Sequence, residues 1–118
     1  MFESTFKYLP FFIGLAGIWT LANGILHDVF VLLRNRTFDK ELIRLLIDGN
    51  ILIFSGVILL LCYDGIRLQL TLAYLVSIAV CIFVLSYCLL IFKILPSFVT
   101  MFIHTVALGW LIAAYKHL

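Results

Sequence analysis

Charge is what this sequence has least of. Eight Lys and Arg and six Asp and Glu make up 12% of 118 residues, and no long hydrophilic stretch interrupts the chain. A soluble globule of this size leaves a large share of its surface exposed, so a chain this apolar cannot be one. The formal net charge of +2 is too small a basic surplus for nucleic acid binding. Several chemical signatures are absent as well. There is no His-Glu-x-x-His, and no glycine-rich nucleophile motif surrounds Ser55, Ser77 or Ser86, so an enzyme reading has little to stand on. The Glu-x-x-His pairs of di-iron bundles are missing. There is no Cys-x-x-Cys, and Cys81 and Cys88 lie ~10 Å apart along one predicted helix, too far for a disulfide. Together with Cys62 they read as small apolar fillers. Neither chain end carries a lipidation signal, and no small-x-small cleavage site closes the first apolar run, which therefore reads as a retained span.

What the chain does have is apolar length. Hydrophobic residues are 65% of it, and four continuous runs cover roughly Tyr8–Leu33, Glu41–Tyr63, Leu68–Phe92 and Ser97–Tyr115. A hydrocarbon core ~30 Å thick needs about 20 residues of helix, and each run reaches or approaches that length. The runs do not alternate as barrel strands do. Inside lipid each must satisfy its own peptide groups as a helix. The expected fold is all-α: an integral membrane, antiparallel four-helix bundle in a single transmembrane domain.

Short connections set the order. Residues 34–40 join spans one and two, with Thr37 or Asp39 placed to cap the second helix. Asp64-Gly65-Ile66-Arg67 reads as the reversal between two and three, and Pro96 as the break between three and four. Counting Lys and Arg, the face with the 1–2 and 3–4 connections carries Arg34, Arg36, Lys40, Arg44 and Lys93, against Lys7, Arg67 and Lys116 on the other. The richer face is expected to be cytoplasmic, with both termini outside a bacterial inner membrane.

Ionisable residues inside spans are costly, so each is a site candidate. They are His27 and Asp28 in span one, Asp48 in span two and His104 in span four, accompanied by Asn23 and Asn50. At ~1.5 Å per residue, His27, Asp48 and His104 fall about 10–14 Å below the same face, enough to form one layer. Thr20, Asn23, His27 and Arg34 make a polar stripe on span one; Glu41, Arg44, Asp48, Ser55 and Cys62 make another on span two. Asn50, two residues from Asp48, points elsewhere. Arg44 and Asp48, four apart, are spaced to pair, which is the structural account of that acid. A neutral ring bonded to a neighbouring helix is the structural account of His104. Ala16, Thr20 and Gly24, and likewise Thr105, Gly109 and Ala113, form small-residue strips suited to close helix approach.

Three functions fit these residues. A His and Asp layer is the chemistry of a proton relay or cation-linked transport component, in an oligomer. A non-catalytic accessory subunit of a larger membrane complex fits equally. Third, His27 and His104 are placed to hold haem, or with Asp28 and Asp48 a divalent metal. Over five residues, Asn23-Gly24-Ile25-Leu26-His27 resembles the haem-bearing helix of succinate dehydrogenase anchor subunits. The pattern that follows in that family is missing here, and the helix number differs. The lipid bilayer is a partner on any of the three readings.

Overall fold

The computed structural model describes residues 6–35, 37–92 and 97–118. Among these the chain forms four long α-helices and no strand: α1 (Leu9–Arg34), α2 (Lys40–Arg67), α3 (Thr71–Leu90) and α4 (Phe98–Tyr115). Each is long and apolar enough to cross a membrane. Arg36, Lys93 and Pro96, which the sequence places in the first and third connections, lie outside the described residues. Pro10 sits in the first turn of α1, where its missing N–H costs nothing. Asp39 caps α2, its carboxylate accepting from the Leu42 N–H at 2.9 Å.

The reversal between α2 and α3 differs from expectation. Asp64-Gly65-Ile66-Arg67 is helical, and the turn is Leu68–Leu70. Arg67 pairs with Asp64 at 3.1 Å one turn back, which suits continued helix. Gln69 takes φ 58, the left-handed conformation that ends many helices, and the Leu70 N–H reaches back to the Gly65 carbonyl at 2.8 Å. Gly65 serves approach instead of the turn. A Cβ there would stand 2.5 Å from Cβ of Ala73 at the start of α3.

The most extensive contact in the molecule is between α1 and α2, and it is made by glycine. Gly17 faces Gly56, and Gly24 faces Gly49, an antiparallel register with the glycines seven positions apart on both helices. A Cβ on Gly24 would lie 2.7 Å from the Gly49 carbonyl oxygen, and one on Gly56 2.5 Å from the Leu21 nitrogen and 2.7 Å from the Gly17 oxygen. The obstacles are backbone atoms, which cannot swing aside as a side chain would. Backbones this close gain dispersion and Cα–H···O contacts.

The other helices complete a ring in which α3 packs on α2 and α4, and α4 closes on α1. Inaccessible apolar side chains run from Leu9, Ile13 and Leu111 near the end with the termini through Leu59 to Cys81 and Val84 in mid-bundle. The end with the α1–α2 and α3–α4 connections is looser, and the candidate site lies there.

Replacing Gly56 or Gly24 by Ala is expected to lower stability by about 1–3 kcal/mol, because the added methyl meets backbone. Gly109→Ala, with nothing within 4 Å of the new Cβ, should be neutral. A fluorogenic thiol dye monitoring exposure of the buried Cys62, Cys81 and Cys88 on heating provides the melting temperatures.

Candidate functional site

At the looser end, all four helices contribute to a cleft of about 780 Å³. From α1 come Asn23 and His27, from α2 Arg44 and Asp48, from α3 Tyr87, and from α4 Thr100. The i, i+4 spacing of Asn23 and His27 puts both on one face of α1. Asn23 is held by its own helix, its Nδ2 donating to the Trp19 carbonyl at 2.7 Å. His27 reaches across the glycine seam, with Nε2 3.0 Å from the Leu45 carbonyl. A carbonyl only accepts, so Nε2 carries the proton and the ring's orientation is tied to α2. Asp48 lies one helical turn beyond Leu45, and the Tyr87 hydroxyl is within hydrogen-bonding reach of its carboxyl group. Leu26, Val29, Phe30 and Leu33 also line the cleft and are 47–78% exposed, so it opens sideways past α1 as well as toward the end of the bundle.

The floor of the cleft is a hydrogen-bonded bridge between α1 and α4. Trp19 Nε1 donates to Thr100 Oγ1 at 3.1 Å. His104, fully buried, has Nδ1 2.8 Å from the Thr100 carbonyl and Nε2 3.2 Å from Thr20 Oγ1. Nδ1 must therefore be the donor toward that carbonyl. Thr20 Oγ1 in turn lies 2.7 Å from the Ala16 carbonyl. It has one proton to give, either to Ala16 or to Nε2 of His104. The alternative is a rotation of one hydroxyl and needs no movement of the helices.

The structure distributes the sequence's seven candidates over four places. Asn23, His27, Arg44 and Asp48 share the cleft. His104 lies beneath it, linked through Thr100. Asp28 points into the glycine seam, its Oδ1 against Gly49, buried and without a hydrogen-bond partner. Asn50 lines a separate, almost wholly apolar groove between α2 and α3. The expected Arg44–Asp48 pair is not formed. Arg44 instead bonds Glu41 at 2.8 Å, with both side chains about two-thirds exposed. Its long stem carries the guanidinium outward to the end of the bundle, away from an acid a turn deeper. Of the small-residue strips, Ala16, Thr20 and Gly24 are buried, whereas Thr105, Gly109 and Ala113 face outward.

Tyr87, Thr100 and Trp19 were not among the candidates. The signal for each was a hydroxyl or indole N–H inside an apolar run, which has to find a partner. The metal and haem readings gain nothing from this arrangement. His104 has both nitrogens engaged, His27 has one, and among the described residues no three His, Cys, Asp or Glu side chains converge as a ligand set. Comparison with protein families, with curated proteins and with solved structures finds no match to this chain.

Thr100→Val removes the acceptor of the Trp19 indole and should cost about 1 kcal/mol. In a Trp110→Phe background, Trp19 emission should shift measurably on that substitution. Unchanged emission would show that the bond to Thr100 does not form.

Proposed function

We propose that the chain is an integral membrane protein, its four helices crossing the bilayer antiparallel, and that it works as a proton- or cation-linked transport or relay component. The observation that carries this reading is the cleft itself. A carboxyl group (Asp48), an imidazole (His27) and a phenol (Tyr87) share a mostly apolar cleft within the span of the helices. A purely structural bundle gains little from such groups, since interhelical polar bonds average ~0.6 kcal/mol in a measured membrane bundle. His104 extends the polar path one layer inward. Below it the apolar core closes the bundle, so passage requires a second conformation that opens the end carrying both termini. In the proposed orientation the cleft faces the cytoplasm and the termini lie outside.

A second reading, an accessory subunit or homo-oligomer, draws on the outer face of α4. Thr105, Gly109 and Ala113 are exposed there, and Gly109 has open space above its Cα. Such a strip suits close approach by a helix of a second copy or of a larger membrane partner.

Two measurements test the proposal. Cysteines placed at the exposed Asn35 and Gln69 should react with an impermeant reagent from opposite sides of the membrane. Reaction from one side only would overturn the spanning topology. In vesicles loaded with a pH-sensitive dye, reconstituted protein should carry protons or exchange them for a cation. Asp48→Asn, which keeps shape and loses the titratable group, should reduce that flux by at least about tenfold while leaving the melting temperature unchanged. Equal flux through wild type and Asp48→Asn would leave the accessory reading in place.

A further inference from the structure

We propose that the cleft binds a lipophilic organic cation, an amine or ammonium carried on an apolar body, with Asp48 as its counter-ion. The inference rests on the transport reading above and narrows it to a substrate class. Three observations lead to it.

The first is the charge inside the cleft. Among the described residues Asp48 makes no ion pair. Arg44, one turn away on the same helix, is bonded to Glu41 at 2.8 Å, and both side chains are about two-thirds exposed, so the guanidinium is committed outside. Asp48 lines the cleft beside Tyr87, so its carboxyl group is open to a ligand that enters there. A carboxylate in such surroundings favours a positive partner.

The second is the wall chemistry. A metal ion needs four or more donors to replace its water. Here no three His, Cys, Asp or Glu side chains converge as a ligand set among the described residues. Leucines, Phe30 and the Tyr87 ring supply most of the remaining surface. Those walls suit hydrocarbon, and an aromatic face attracts an ammonium directly.

The third is size and access. About 780 Å³ lies within the range of pockets that hold whole organic molecules, and far exceeds what a bare ion or a proton relay needs. The sideways opening past Leu26, Val29, Phe30 and Leu33 faces the lipid side, so a ligand already partitioned into the bilayer reaches Asp48 without crossing an aqueous gate.

The test is binding, measured apart from flux. Purified protein in nanodiscs is equilibrated with benzyltributylammonium, and bound ligand is determined by dialysis against empty nanodiscs. Saturable binding is expected, weakened at least about tenfold in Asp48→Asn. Dibenzyl ether, uncharged and similarly apolar, should show no dependence on Asp48. Val29→Trp, which fills the cleft from an exposed position, should weaken binding of the ammonium without loss of melting temperature. It covers the case in which Asp48→Asn fails to fold. Equal affinity for the ammonium and the ether, indifference to both substitutions, or displacement of the ammonium by millimolar Mg²⁺ or Zn²⁺ would overturn the proposal. Proton flux without ammonium binding would reject this substrate class and leave the transport reading standing. Asp48-dependent ammonium binding without any flux would do the reverse.

Discussion

The glycine seam between α1 and α2 is the constraint on which the rest of this structure depends. Between helices long and apolar enough to cross a membrane, what decides how they hold together is contact distance. Gly17 on Gly56 and Gly24 on Gly49 bring the backbones together and fix the register at two points seven residues apart. A slip by one residue would set a side chain against backbone at both points. The register then determines the chemistry. It puts the His27 ring beside the Leu45 carbonyl, the Asp28 carboxyl against Gly49, and Asp48 on the face of α2 that looks into the cleft.

The opposite closure, between α1 and α4, is made differently and less extensively. Its contacts run from Phe6–His117 and Phe12–Trp110 up to Thr20–His104 and Trp19–Thr100. Beyond Thr100, towards the looser end, α1 turns exposed leucines and Phe30 past the cleft. A seam that is tight along its length on one side and bonded only partway on the other produces a wedge-shaped opening. The cleft is therefore a consequence of how the two interfaces are built, with the His104 bridge marking its depth.

The helices and their order were legible because continuous apolar runs and short connections permit few alternatives. The helix bounds moved where local rules competed. Asp-Gly reads as a turn, yet Asp64 pairs with Arg67 and Gly65 accommodates Ala73, so the helix runs on and Gln69 takes the left-handed position. Depth along the helix set His27, Asp48 and His104 at one level; in the structure His27 and Asp48 line the cleft, while His104 lies a layer deeper, linked to it through Thr100. Facing was less legible, because it depends on which helices are neighbours. Arg44 had acids at i−3 and i+4, and the choice of Glu41 follows from the pull of the bundle's end on a long cationic side chain. The seven-residue glycine spacing on both α1 and α2 was the unused signal. It would have given their register, and with it the place of Asp28.

Asp28 and Asp48 show how far environment separates two identical side chains at similar depth. Oδ1 of Asp28 is buried against Gly49 with no hydrogen-bond donor, a position costing about 1–3 kcal/mol if uncompensated. What faces it is the Gly49 Cα–H, worth about 0.5–1 kcal/mol as a weak donor. Any side chain at position 49 would collide with it, so the acid and the glycine constrain each other. Asp48 has the opposite surroundings: a neighbouring phenol and the open volume of the cleft. The first carboxyl is locked in the seam by the register of two helices, and the second stands where a partner can reach it.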